Sequence, residues 1–469
     1  MKSGHRTFRR NSRLIAVLLG VYLLAFGVPN YTELPSHMSR AFGKAVRLVT
    51  GDAVPMSALS ASCAREDMGA PRVSISAQDL IDEIGVNTHV PYTDGKYSHV
   101  DLVAAELKYL GVRQVRDGVS NGERGTAPIE SFVKLAEGGT RFTFVIAARS
   151  GSDIDDKLKL IERVENARKG AVTAIEGPNE INNEPIDFHG VKDLAGALDM
   201  QREIVRKVRA DKVLVDAKVV YFTGYANQNI GRGPDPLVAG LADFTNQHPY
   251  PKWGEPPGRW LKRSETLVNT KNPNAPAVYT ETGYSSKEVG KEVQAKYSLD
   301  LIMDATLTRI SHIYFYQLMD AYPDNAPQGD VGSGLFTYEE KPKPVAVALH
   351  NLIQILKAHE GVTSTRAANK LNYATSGLPR TGCSLQVTAA DGHAFIVAWA
   401  EPPIWDNKAR RNAPAPVSTV SFRPATLWRP VRIYDPMISS GPIRSLSGSA
   451  TVEVEVSDHP VLIELEPKS

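Results

Sequence analysis

Two glutamates stand just past short apolar runs, and each run is followed at once by chain-breaking residues. Ala171-Val172-Thr173-Ala174-Ile175-Glu176-Gly177-Pro178-Asn179-Glu180 is β-branched and apolar until Gly-Pro, and it delivers Asn179 and Glu180 at its end. Ala277-Val278-Tyr279-Thr280-Glu281-Thr282-Gly283-Tyr284 has the same grammar. Such runs read as buried parallel strands whose carboxyl ends present a carboxylate. Most glutamate pairs are solvated surface charge. These two sit where burial shifts proton affinity, about 100 residues apart, with room for three βα units between them. A pair of acids at one barrel mouth suits glycosidic-bond cleavage. One donates a proton to the leaving oxygen, and the other attacks the anomeric carbon. Further strand-end candidates for holding a sugar are Arg116, Asn179, His248, Tyr250 and Gln317, with His89 near the end of the first strand. Trp253 lies in a Pro- and Gly-rich loop and is a candidate stacking platform; the more regularly spaced Trp260 reads as core. Glu176 reads as a structural side chain pointing away from the site. Glu184, in the loop after Glu180, reads as a solvated charge rather than a site residue, and Tyr225 is a further candidate stacking platform. The loop acids Asp94, Asp324 and Asp330 lack the spacing of a calcium site, so no metal and no cofactor is expected.

Positioning these residues takes a repeating scaffold. Strand-like runs begin at Ile84, Val112, Arg141, Val172, Lys212, Phe244, Ala277 and His312, and helical patterns separate most of them. The pattern Val100, Val103, Ala104, Leu107, Leu110 closes at Gly111, a helix stop. Eight alternations predict a (β/α)8 TIM barrel over residues 76–360. The alternative is a doubly wound open sheet, and the absence of a phosphate-binding glycine fingerprint after the first strand weakens it. From residue 361 to 469 the pattern changes to short alternating segments with turn residues between them, such as Ala394 to Trp399 and Val452 to Val456. That predicts a C-terminal antiparallel β-sandwich, with Glu401 to Pro416 as an exposed loop.

At 469 residues and 42% apolar, the chain buries a large core. Its 54 basic and 52 acidic residues leave a net charge of +2, and no nucleic-acid partner is expected. Two cysteines, Cys63 and Cys383, allow one bridge or two thiols and no disulfide scaffold. Lys2, Arg6, Arg9, Arg10 and Arg13 precede an apolar run from Leu14 to Val28, so residues 1–28 read as a signal peptide. An uncleaved membrane tether is the alternative reading. Residues 29–75 form a lead-in without sustained periodicity. The expected location is secreted, periplasmic or cell-envelope.

Gly177-Pro178-Asn179-Glu180, Thr280-Glu281-Thr282-Gly283, Arg116 and His248-x-Tyr250 together resemble the motifs of glycoside hydrolase clan A, the retaining barrel glycosidases. Barrel plus terminal sandwich is most similar to the β-xylosidase and α-iduronidase family and its exopolysaccharide-acting relatives. The resemblance implies a polysaccharide or oligosaccharide substrate with β-linkages. It implies Glu180 as acid/base, Glu281 as nucleophile, Asn179 on the sugar 2-hydroxyl, Arg116 holding the nucleophile ionised, and Tyr250 touching it. The clan places a tryptophan at the end of the eighth strand, where this chain has Tyr314, Phe315 and Tyr316; Tyr316 is the candidate for its place. A transglycosylase, or a non-catalytic glycan-binding protein, uses the same barrel and is separated from a hydrolase by its products.

Overall fold

A computed structural model describes residues 73–119, 129–148, 150–183, 186–224, 240–262, 264, 276–308, 310–326, 331–359, 371–425, 431–447 and 450–466. Residues 1–72, with the expected signal peptide and most of the lead-in, fall outside the described residues, as do Cys63, Glu184, Tyr225 and Asp330. No helix among the described residues is long and apolar enough to cross a membrane.

Eight parallel strands form one sheet: Ile84–Asn87, Gln114–Gly118, Arg141–Val145, Val172–Glu176, Lys218–Val220, Thr245–Asn246, Ala277–Thr282 and Ile310–Phe315. Each pairs with the next in sequence, the eighth pairs with the first, and a bridge from Val220 to Phe244 joins the fifth to the sixth. This is the barrel the alternation predicted. Residues of one parity point into it and the others outward. Phe142 and Phe144 of the third strand face out and meet Phe132 of the helix Ile129–Glu137, at ring-centroid distances of 5.8 and 5.5 Å. The helix Gly151–Ala167 starts where Ser150 Oγ accepts the Asp153 amide, and buries Ile154, Leu158, Ile161 and Val164 at helical spacing. Gly111, at φ 80°, ends the helix Val100–Leu110 as the sequence indicated.

The fifth strand is shorter than the run from Lys212 suggests. Asp211 Oδ1 accepts the amides of Val213 and Leu214 at 2.7 and 2.9 Å, which folds the chain into turns until Ala217.

The C-terminal strands form the two sheets of a sandwich. One runs Ser74–Ser76, Gly382–Thr388, Ala394–Ala400, Val461–Leu465, Val431–Tyr434, Arg444–Leu446; the other holds Tyr373–Ser376, Ser418–Pro424 and Val452–Val456. Ile396, Ala398, Val420, Phe422, Val454 and Ile463 fill the space between them. The Ser74–Ser76 strand, ahead of the barrel in sequence, pairs in parallel with Gly382–Thr388, which carries the buried Cys383. The segment Glu401 to Pro416 is exposed over much of its length, as expected, but it is not all loop. Ile404 is buried, and the short hairpin Trp405–Asp406 with Arg411–Asn412 reaches the barrel helix Ser286–Leu307, where Asn412 Nδ2 donates to Glu292 at 2.9 Å.

Candidate active site

The carboxyl ends of the barrel strands surround a cleft of about 1750 Å³. Glu180, Glu281, Arg116, Asn179, Tyr250, His89 and Tyr316 all line it. The two glutamates reach it by different backbone devices. Gly177 passes so close to Gln201 that a Cβ would meet its Oε1 at 1.9 Å, so any larger residue there would displace that buried amide. Three residues on, Glu180 sits at φ 38°, a left-handed conformation that a non-glycine residue adopts at a cost. It is held there by Thr223, whose Oγ1 accepts the Glu180 amide at 3.0 Å and whose carbonyl accepts that of Ile181 at 3.0 Å. On the seventh strand, Tyr279 faces Ile313 but Thr282 faces Phe315. Three steps on one strand match two on its neighbour, which is a bulge. It lets Thr280 point into the barrel while Glu281 also reaches the cleft.

Below the two acids lies a buried polar network. Arg116 Nε and Nη2 donate to Glu176 at 2.7 and 2.9 Å. Nη1 donates to Glu281 Oε1 at 2.6 Å and to Asn87 at 3.0 Å, and Nη2 also to Asn179 Oδ1 at 2.8 Å. Glu176 is 0% exposed and points into the barrel against Arg116, correcting the expectation that it turns away. Asn246 Nδ2 donates to Glu176 and Thr280 at 3.1 and 2.8 Å. The other Glu281 oxygen accepts the Tyr250 hydroxyl at 2.7 Å. His248 Nδ1 lies 2.8 Å from Glu180 Oε1 and 3.7 Å from Glu281 Oε2, while its Nε2 lies 3.0 Å from Thr280 Oγ1.

The electrostatics of Glu281 follow from these contacts. Burial raises its proton affinity, but the charges of His248 and Arg116 and the bonds from Tyr250 and Arg116 outweigh that, and its pKa is lowered. Burial, then the Glu281 charge, pushes the Tyr250 hydroxyl well above its ordinary value, so it stays a donor. Burial pulls Arg116 down, yet the two carboxylates more than offset it and the guanidinium is held protonated. Asp117, buried beside Arg116, is pushed up to about 7 by burial against the bonds from Thr88, Val90 and Gly118.

An oxygen of Glu180, one of Glu281 and a ring nitrogen of His248 lie within 4.8 Å of one another. That grouping has the size of a cation site. However, Glu281 already spends both oxygens on Arg116 and Tyr250, and the guanidinium supplies the positive charge. The two carboxyl groups are thus near enough to act on one sugar, by attack and by proton donation.

Three expected substrate contacts stand off the cleft walls. His248, 1% exposed, sits under the acids and holds them. Gln317 is buried in the core, where its Oε1 accepts the Tyr97 hydroxyl at 3.0 Å. Trp253 is 63% exposed and lies outside the cleft lining. At the eighth strand's end, Tyr316 reaches the cleft, whereas Tyr314 hydrogen-bonds Thr143 inside the barrel at 2.9 Å and Phe315 is core. His89 stacks on Tyr92 with centroids 4.4 Å apart. Sequence reasoning passed over Asn87, Tyr92, Thr223 and Asn246. Asn246 stands two residues before His248 on a strand, so period-two alternation already places the two on one face.

No protein-family model matches the sequence, and no curated protein matches it. Solved structures do match its fold. A family 39 glycoside hydrolase from the gut symbiont Bacteroides cellulosilyticus WH2 superposes with a TM-score of 0.54 at 15% identity, covering 84% of this chain and 82% of that one. The GH39 enzyme from Xanthomonas axonopodis pv. citri gives 0.53 at 16%, covering 85% and 98%. A monomeric β-xylosidase from Caulobacter crescentus CB15 gives 0.54 at 15%, covering 85% and 98%. Barrel and sandwich thus share the architecture of these glycoside hydrolases.

Proposed function

We propose that the protein is a retaining glycoside hydrolase that cleaves β-linked polysaccharide or oligosaccharide by double displacement. The observation that carries this reading is an asymmetry between two adjacent acids. Glu281 has a guanidinium on one oxygen and a phenol on the other, and so is kept ionised. Glu180, within 4.8 Å, has neither of these partners and is the proton donor.

In the first step the Glu281 carboxylate attacks the anomeric carbon. The glycosidic C–O bond breaks, and the Glu180 proton passes to the leaving oxygen. In the second, Glu180 takes a proton from water, the water oxygen bonds the anomeric carbon, and Glu281 leaves as a carboxylate. Asn179, its Oδ1 held by Arg116, presents its amide to the sugar 2-hydroxyl, while Tyr316 and His89 supply ring faces. The basic and apolar N-terminal segment supports export, with the substrate in the envelope or medium. Incubation with a panel of bacterial and plant polysaccharides, with product anomers read by NMR, tests the reading. The first product should keep the β-configuration, and Glu281→Gln should abolish turnover. An α first product, or undiminished hydrolysis by that variant, overturns it.

A further inference from the structure

A second cluster of metal-ligating side chains lies far along the sequence from the barrel acids and plays no part in the chemistry above. His359 follows the barrel's closing helix, Pro344–Lys357, at its C-terminal turn. Asp391 and His393 belong to the tight turn between the sandwich strands Gly382–Thr388 and Ala394–Ala400. His359 Nδ1 lies 2.6 Å from Asp391 Oδ2, and His393 Nδ1 lies 2.8 Å from the same oxygen. The imidazoles lie side by side, centroids 4.3 Å apart. Their far nitrogens face one carboxylate: Glu464 Oε1 is 3.5 Å from His359 Nε2 and 3.6 Å from His393 Nε2. Glu464 is itself fixed by Arg432 at 2.5 Å and by the Tyr434 hydroxyl at 2.5 Å.

We propose that His359, Asp391 and His393 form a binding site for a divalent transition-metal cation of the Zn²⁺ class, which clips the last barrel helix to the sandwich. The donor set is two imidazole nitrogens and one carboxylate oxygen, with a fourth position left for water, a combination suited to zinc. The orientation of the rings carries the argument. A ligating histidine characteristically donates its other N–H to a carboxylate, and here a single buried carboxylate faces both. With Nε2–H turned to Glu464, each Nδ1 offers a lone pair toward an oxygen that also offers lone pairs. The buried His393 Nδ1 has no hydrogen-bond partner among the described residues, despite that 2.8 Å approach. A cation in their midst satisfies all three atoms at once. In the metal-free alternative each neutral ring turns Nδ1–H to Asp391 Oδ2, which leaves both Nε2 lone pairs facing the Glu464 carboxylate at 3.5 and 3.6 Å. The remaining neighbours are Glu466, whose Oε2 lies 4.0 Å from His393 Nε2, and Phe395, whose ring meets His359 edge-on. Metal–ligand bonds of about 2.0–2.1 Å need ligand atoms roughly 3.3 Å apart, so the trio opens by about half an ångström on binding. The side chains are 12 to 17% exposed, enough for an ion to enter.

Calorimetric titration of the chelator-treated full chain with Zn²⁺ tests the site. One equivalent should bind with a submicromolar dissociation constant. His359→Gln and His393→Gln should each weaken binding at least about 100-fold, and Glu464→Gln about 10-fold. Because the barrel acids also converge with a histidine, the Glu180→Gln/Glu281→Gln double variant is the control, and it should bind Zn²⁺ as the parent does. Far-UV circular dichroism and an unchanged hydrolytic rate report that the histidine variants fold. Should a histidine variant fail to fold, Asp391→Asn and the visible absorption of bound Co²⁺ serve in its place. No stoichiometric uptake by the parent chain, uptake indifferent to Asp391 and both histidines, or loss of uptake in the double variant overturns the proposal.

Discussion

Replacing Tyr250 by Phe removes one hydroxyl and leaves the ring. The hydroxyl donates to Glu281 Oε2 at 2.7 Å. A hydrogen bond to a charged group contributes about 1.5–3 kcal/mol, and one pKa unit corresponds to about 1.36 kcal/mol, so the nucleophile should rise by roughly 1–2 units. The sign follows from its present state. Glu281 is lowered, because His248, Arg116 and the Tyr250 bond outweigh its burial. It is active as the anion, so activity is lost as pH falls through its pKa. Removing a donor that favours the anion therefore moves the acid limb of kcat/KM upward by about 1–2 units. The second step also slows, since the carboxylate leaving the sugar has one donor fewer. Initial rates of an aryl glycoside from acid to neutral pH, fitted for the acid limb, measure the shift. A lower plateau with the limb unmoved would mean that Tyr250 acts on the sugar and not on Glu281, and the account of how the nucleophile stays ionised would fail.

Glu180→Gln should slow cleavage of an unactivated saccharide by about 10²–10⁴-fold while sparing the first step on an aryl glycoside with a good leaving group, read as a burst of released phenol. Equal losses on both substrates would remove Glu180 from the proton-donor role. Glu106, on the helix Val100–Leu110, is 4% exposed with no hydrogen-bond partner for either oxygen among the described residues, and burial, then Glu340, pushes it up to about 8. At pH 7 the folded state holds it protonated where the unfolded chain ionises it. This costs on the order of 3 kcal/mol, absent below about pH 4.5 and complete above pH 8. Glu106→Gln should accordingly raise the melting temperature at pH 7 and flatten its decline between those limits, and an unchanged slope in calorimetry would contradict this.

What the sequence made legible is what period and punctuation encode. Val172 to Ile175 stopping at Gly-Pro, and Val278 to Thr280 stopping near Gly283, marked two strand ends because an apolar run cannot continue through those residues. Arg116 and His248-x-Tyr250 stood out as polar groups at the ends of otherwise apolar strands. Residues that work through a long-range partner were hidden. Glu176 is one residue short of the turn, and nothing local says that Arg116, 60 positions away, fills the barrel beneath it. Thr223 holds the Glu180 backbone from the next βα loop, a contact made only when the fourth and fifth strands lie side by side. Trp253 was chosen for an aromatic ring in a Gly- and Pro-rich loop. Composition identifies a loop but not the side toward which its residues turn, and this ring turns to solvent. Gln317 was chosen by counting along the eighth strand, but that strand ends at Phe315, so its period does not place Gln317, which lies in the core bonded to Tyr97.

The buried network bears on the chemistry through its charge count. Arg116 is one cation between two carboxylates, Glu176 and Glu281, and its side chain is 6% exposed. Glu176 takes Nε and Nη2 as a two-pronged pair, which fixes the guanidinium plane and leaves Nη1 aimed at Glu281. A lysine, with a single nitrogen at its tip, cannot fill both places. The Arg116–Glu176 pair is neutral by itself, so the anion on Glu281 rests on its bond to that shared guanidinium, on His248 and on the Tyr250 hydroxyl. Attack on the anomeric carbon converts that anion into an ester. That buried anion then disappears, while the Arg116–Glu176 pair stays whole. Burial, which resists an ionised Glu281 in the resting enzyme, thus favours the step in which that charge is spent.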